Sequence, residues 1–167
     1  REIVTNSKPE EIPRLMAENN FDAILLDMNF SPGESNGEQG FIWLGKILEI
    51  DPVARTARLQ PGVRNLAISE VAAPYGLYYA PDPSSQIACT IGGNIAENSG
   101  GVHCLKYGLT VHNVLQVEMV TVEGELIQIG NEGLDASGYD LLALITGSEG
   151  LLGVITEVIV KLLPTPD

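Results

Sequence analysis

The sequence predicts an α+β chain, and three observations predict it. Val114 to Val122 alternates apolar and polar residues, Glu123-Gly124 offers a tight turn, and Glu125 to Ile129 returns. That is the pattern of a β-hairpin with one buried face. "LLGVITEVIVKLLP" is a β-branched run of strand length near the other end of the same region. "VRNLAISEVAAPYG" instead places Val63, Leu66, Ala67 and Val71 at helical spacing, with Pro74 and Gly76 to stop it.

The remaining elements follow in order. Ile3 to Thr5 is a short apolar run. In "SKPEEIPRLMAENN", Ser7 suits an N-cap with Glu10 three residues on, Pro9 suits an early helical position, and Ile12, Leu15 and Met16 share a face. "FDAILLDMNF" reads as a strand covered on both faces, ending at Asp27. "SPGESNGEQG" is a loop by composition. "FIWLGKILEI" fits a helix through Phe41, Leu44, Ile47 and Leu48, yet "KILEID" fits a strand equally, and Asp51-Pro52 closes either. "ARTARLQPG" alternates like a strand and ends in a Pro-Gly turn. "LYYAPDPSSQ" is an extended loop fixed by its prolines. "DLLALITGSEG" gives a short helix and a glycine-rich turn.

Composition excludes several functions. The chain has 167 residues, 44% of them apolar, and a net charge of −13. Such a balance disfavours a nucleic-acid surface and anionic lipid, because few cations are present to neutralise phosphates. No apolar stretch approaches a membrane span. Cys89 and Cys104 read as free thiols of a reducing compartment, hence a cytoplasmic protein. His103 and His112 lack metal-ligand spacing, so no metal is expected. The chain opens on Arg1 with no signal segment, and reads as an excised piece of a cytosolic protein.

Glycines concentrate in "TIGGNIAENSGG". Paired glycines let backbone approach a ligand closely. Asn94 and Asn98 can donate hydrogen bonds without adding charge. A helix starting near Gly93 would direct free N–H groups at a phosphate. The pattern is neither G-x-G-x-x-G after a strand nor a P-loop. A turn-rich connection with no ligand fits the same spacing.

The motifs PDPSS, IGGN, "SGG", YG and GSEGLLGVIT, in that order between about Ile47 and Pro166, resemble an FAD-linked oxidase family. That family contains the glycolate oxidase flavoprotein subunit and D-lactate dehydrogenases. The resemblance implies a partial FAD-binding domain of the vanillyl-alcohol-oxidase (PCMH) type, mainly its second α+β subdomain, with FAD as cofactor. It implies that Pro81 and Asp82 lie near the flavin end, and that Thr90, Gly92, Gly93 and Asn94 pack against the cofactor. Gly100 and Gly101 would keep a turn open beside it, Gly108 would sit in the next loop, and Glu149, Gly150, Gly153, Val154 and Ile155 would cover the adenosine or pyrophosphate side. The implied function is the FAD-binding portion of an oxidoreductase acting on glycolate, D-lactate or a similar 2-hydroxy acid, inactive alone. Its partners would be the parent enzyme's other subunits and an electron acceptor. No catalytic residue is assigned, since His103 and Tyr107, the nearest candidates, read as packing around the "SGG…YG" loop.

The family's first phosphate loop, G-x-G-T-x-x-x-G, has no match upstream of Ile47. "DAILLDMNF" and "NGEQGFIWLGKILEIDP" are instead similar to the middle of an NtrC-type response-regulator receiver domain. This implies a βαβ-like receiver fragment over residues 1–50, with Asp27 as phosphoacceptor, joined to an FAD-binding domain over 51–167. A non-functional fusion is the remaining alternative.

Overall fold

The computed structural model describes Glu11, Arg14, Leu15, Glu18, residues 45–131 and residues 138–166. The chain divides into two compact units, Arg1–Leu44 and Gly45–Asp167. In the first, Arg14 and Glu18 form an ion pair of 3.7 Å at the i,i+4 spacing of a helix. The strand expected over residues 21–30, and with it Asp27, lies outside the described residues. So do the expected Ile3–Thr5 run, the loop of residues 31–40 and the Phe41–Leu44 segment.

The second unit is built on an antiparallel sheet. Its strands are β1 (Ile47–Asp51), β2 (Thr56–Leu59), β4 (Val114–Val120), β5 (Leu126–Gly130) and β6 (Val154–Lys161), in the order β1-β2-β6-β4-β5. A two-stranded ladder pairs β3 (Leu77–Tyr78) with β7 (Leu163–Pro164). Among the described residues every strand pair is antiparallel, which agrees with the absence of a Rossmann fingerprint.

The period-2 pattern explains the sheet's sidedness. In β4, Val117 and Met119 are buried, while Gln116, Glu118 and Val120 alternate with them on the more open face. Leu59 of β2 pairs with Val158 of β6, and Ala57 with Val160, all four buried. Among the described residues the α-helices that accompany the sheet are α1 (Asn65–Ala72), α2 (Ile91–Glu97), α3 (Cys104–Tyr107) and α4 (Leu141–Ile145). Ile68 and Ala72 of α1, Ile91 and Ile95 of α2, and Ile145 of α4 join Leu59, Val117, Val158 and Val160 in one core cluster. Each fully buried Leu or Ile contributes about 1.5–3 kcal/mol through removal of apolar surface from water.

The open choice at "KILEID" resolves as strand: Ile50 pairs with Ala57 and Asp51 with Thr56. Asp51 closes the turn by accepting from the Val53 and Ala54 N–H groups, both at 2.8 Å. Because β1 pairs with β2, Ile47–Asp51 belongs to the second compact unit.

Helix α1 forms where expected but buries a different face. Its buried residues are Asn65, Ile68 and Ala72, and Val71 is 44% exposed. Counting apolar residues selects the wrong stripe, because the inward position at the helix start belongs to a polar side chain. Asn65 earns that place by hydrogen bonding, as the site below shows.

Candidate functional site

The loop from Tyr79 to Pro83 is held from beneath by α1. Asn65 is buried, and its Nδ2 donates to the Pro81 carbonyl at 3.1 Å. Its backbone N–H donates to the Cys89 carbonyl at 2.9 Å, and that of Leu66 to the Gln86 carbonyl at 3.0 Å. Ser69 Oγ accepts from the Tyr79 N–H at 3.0 Å. A loop rich in prolines lacks donors of its own. Here α1 supplies bonds from outside it.

Asp82 then reaches across to the segment before α3. One carboxylate oxygen accepts from the His103 N–H at 3.2 Å, and the other lies 2.6 Å from His103 Nδ1. Gly101 packs so tightly on Asp82 that an added Cβ would collide with its backbone and carboxylate. The sequence reading expected His103 to pack around the loop, and its ring does lie beside that of Tyr107, with centroids 6.4 Å apart. The His103 side chain is 63% exposed and is held by Asp82.

Helix α2 carries the IGGN motif. Thr90 caps it, its Oγ1 accepting from the Gly93 N–H at 3.3 Å. The Gly92 N–H donates to the Pro61 carbonyl at 2.9 Å, and an added Cβ there would stand 2.7 Å from Pro61 Cβ. Gly100 faces Leu109 Cδ2 at 2.5 Å from the same hypothetical Cβ. Gly108 has φ +83° and lies over the His112 ring. So the space cleared by Gly92, Gly100, Gly101 and Gly108 is filled by the chain itself. Gly93 is the exception: it is exposed, and Thr90 Oγ1 is the neighbour of its hypothetical Cβ, at 3.4 Å.

The GSEG turn is stitched to the end of α2. The Gly147 N–H donates to the Ile95 carbonyl at 2.7 Å, and the Glu149 N–H to the Ala96 carbonyl at 3.0 Å. Glu149 takes φ +53°, a left-handed turn unusual for a residue with a side chain. Gly150 is exposed with open space around it. Gly153 packs on Met119 and Val120, and Val154 and Ile155 begin β6 opposite Val120 and Met119. The structure thus joins Asp82 to the Gly101–His103 segment, and α2 to the 147–149 turn. Residues 153–155 are placed by β4.

Asn94 is 2% exposed, and its Nδ2 has no hydrogen-bond partner among the described residues. A buried donor without an acceptor costs about 1–3 kcal/mol. A neutral donor of this kind, with exposed glycines at Gly93 and Gly150 that add no side-chain bulk, suits a large phosphate-bearing cofactor in a chain this acidic. The residues present fit FAD on that ground. Among the described residues no cluster of His, Cys, Asp and Glu is arranged to hold a metal.

A tyrosine pair flanks the Asp82 segment. Tyr78 and Tyr107 meet edge to face with ring centroids 6.2 Å apart. Burial, then the hydrogen bond with Tyr107, then the negative charge of Asp82 push the Tyr78 phenol up to about 12. Tyr107 moves down, chiefly through the hydrogen bond from Tyr78 and then through Lys106, whose Nζ lies 4.8 Å from the Tyr107 ring centroid. Burial also raises the Tyr79 phenol. Asn65, Pro61 and Tyr78 were not legible as site residues, because each acts on a segment distant in sequence; His103 was singled out, but not its bond to Asp82.

An antiparallel sheet with helices and glycine-rich connecting loops is an α+β domain. The chain belongs to the FAD binding domain family, whose pattern it matches over residues 18–130, and FAD is the cofactor of that domain. It is 70% identical over 121 residues to the glycolate oxidase subunit GlcD of Escherichia coli (strain K12), covering 72% of this chain and 24% of that protein. It is 35% identical to a D-lactate dehydrogenase of Archaeoglobus fulgidus over 171 residues, covering 97% of this chain and 38% of the relative. Among solved structures, an alkyldihydroxyacetonephosphate synthase superposes with a TM-score of 0.64 at 30% identity, over 74% of this chain and 22% of that one. The chain therefore spans about a quarter of the glycolate oxidase subunit it matches. The family match begins at residue 18, upstream of the Ile47 start that the motifs suggested. No helix among the described residues is long and apolar enough to cross a membrane.

Proposed function

We propose that this chain is the FAD-binding portion of an oxidoreductase acting on a 2-hydroxy acid such as glycolate or D-lactate. The observation that carries the reading is the 70% identity to a glycolate oxidase subunit. The alignment with a D-lactate dehydrogenase adds to it. Both names describe removal of two electrons from a carbinol carbon beside a carboxylate. FAD, when bound, supplies the acceptor for those electrons. The chain's own part is to hold and orient it. Thr90, Gly92, Gly93 and Asn94 form one wall in this reading, Glu149, Gly150, Gly153, Val154 and Ile155 another, and Pro81 and Asp82 a third beside Gly100, Gly101 and Gly108. Substrate contacts, the electron acceptor and partner subunits belong to the larger assembly, and the chain alone is inactive. A cytoplasmic location accompanies this reading, supported by two unpaired thiols, Cys89 and Cys104.

The test is the absorbance spectrum of the purified chain after incubation with FAD and desalting. A retained flavin band near about 450 nm supports the reading. A folded, colourless protein ends it for this chain.

A second reading concerns the receiver-like fragment over residues 1–50, carried by its sequence likeness alone; the FAD-family match from residue 18 onward runs against it. As a receiver-like fragment it would take a phosphoryl group on Asp27. Labelling by acetyl phosphate that disappears in Asp27→Asn supports that; absence of labelling leaves this segment a non-functional fusion.

A further inference from the structure

The asparagines around the α2 loops divide into two kinds. Three serve this chain's own backbone. Asn65 donates to the Pro81 carbonyl, and Asn113 Nδ2 donates to the carbonyls of Tyr107 and Leu109 at 3.1 and 2.9 Å. Asn98 Oδ1 accepts from the Val111 N–H at 3.1 Å. Asn94 is the fourth: its buried Nδ2 donates to nothing among the described residues, whereas Nδ2 of Asn65 and of Asn113 does donate, although Asn113 Oδ1 is left without a donor.

A second unpartnered group lies on the neighbouring segment. Thr146 is 7% exposed, and its Oγ1 likewise has no partner among the described residues. The two segments that carry them are tied together by a backbone bond. The bond from Gly147 N–H to the Ile95 carbonyl joins the residue after Thr146 to the residue after Asn94. Thr146 itself is fixed, since it ends α4 and its N–H donates to the Leu142 carbonyl at 2.9 Å. A rigid backbone therefore presents a buried amide donor and a buried hydroxyl, each without a partner in the described chain. Two further buried atoms among the described residues, Tyr79 Oη and Asn113 Oδ1, also have no partner but lie on other segments; native interiors seldom tolerate such groups unless something else completes them.

We propose that Thr146, with Asn94, forms a polar binding pair of the cofactor site, and that both donate to acceptor atoms of FAD. This rests on the FAD-binding reading above and adds Thr146 to the residues that the sequence motifs suggested. The pairing is chemically suited to a neutral acceptor, a carbonyl oxygen or ring nitrogen, because neither donor carries charge.

The test exploits the sign of two measurements. Thr146→Val keeps the shape and removes the hydroxyl. In the FAD-free chain it removes an unsatisfied polar atom, so the melting temperature stays level or rises. In the presence of FAD it removes a hydrogen bond, so the dissociation constant measured by flavin fluorescence rises about three- to tenfold. Thr146→Ser, which keeps the hydroxyl, restores the affinity. Equal FAD affinity in Thr146→Val and the unaltered chain overturns the proposal while leaving the FAD reading intact. A lower melting temperature of the FAD-free variant also overturns it, because the hydroxyl would then be completed within the chain. Failure of the unaltered chain to bind FAD overturns both.

Discussion

The sheet and the glycine-rich loops are stabilised in different ways. Strands β2, β6, β4 and β5 hold one another through regular ladders, and their inner residues fill a continuous core. The loops between β3 and β4 contain little ladder. Individual side chains fasten them: Asn65 to Pro81, Asp82 to His103, Asn113 to Tyr107 and Leu109. A ladder spreads its stabilisation over many equivalent bonds. A clamp concentrates it in one. Damage to the sheet should therefore unfold the whole unit, whereas damage to a clamp should release one loop and weaken cofactor binding more than it lowers the melting point.

The largest effect is expected in the sheet. Leu59 is completely buried between β1 and β6. Leu59→Ala should cost about 2–5 kcal/mol, read by denaturant unfolding, through lost burial and a residual cavity. FAD affinity of the fraction that remains folded should be unchanged. A loss of affinity at full folding would break the distinction drawn above.

Next comes Gly101→Ala. Its Cβ would collide with backbone atoms of Asp82, which cannot rotate aside as a side chain end can. The strain should cost up to about 3 kcal/mol. Because the collision displaces the Pro81–Pro83 loop, FAD affinity should fall further than stability alone explains. Asn65→Ala strips the Pro81 carbonyl of its buried donor and should cost about 2 kcal/mol. It sharpens the comparison, since Asn65 lies on a core helix but acts on a loop. His103→Ala should cost less than about 1 kcal/mol, since its ring is mostly solvated.

The same contrast governs what the sequence disclosed. The hairpin of β4 and β5 and the strand β6 were legible because alternation is a local signal, present in Val114–Val120 itself. The short helix α4 and the glycine-rich turn after it were local too. The face of α1 was not, because Asn65 lies inward only on account of Pro81, sixteen residues away. The strand at Ile47–Asp51 was ambiguous because its partner, Thr56–Leu59, decides it. In the site, motif spacing marked the glycines, but not what fills the space beside them. Pro61, Leu109, Asp82 and His112 do so, and spacing carries no information about such neighbours. Thr146 gave no signal either, because an unpartnered hydroxyl is a property of its surroundings.

The smallest expected effect is confined to alkaline pH, and it tests whether the Tyr78–Tyr107 contact behaves as a local clamp. Tyr78 is raised from 10.0 to about 12, first by burial and then by its bond to Tyr107. Below pH 10 the folded and unfolded chains both keep this proton, so its contribution is fully present. Between pH 10 and about 12 the unfolded chain releases the proton while the folded chain retains it, and stability falls as pH rises. Tyr107 is lowered, so it acts in the opposite sense: its contribution grows as pH climbs from its folded value toward 10.0. Stability should therefore rise slightly on the approach to pH 10 and then decline. Tyr78→Phe removes the shared hydrogen bond and the raised phenol together. It should flatten the rise and shrink the decline, leaving the part due to buried Tyr79, which is raised as well. Urea midpoints measured from pH 8 to 11.5 give this profile. If Tyr78→Phe leaves it unchanged, the two tyrosines do not fasten β3 to α3, and the Asp82 bonds hold that end of the loop without them.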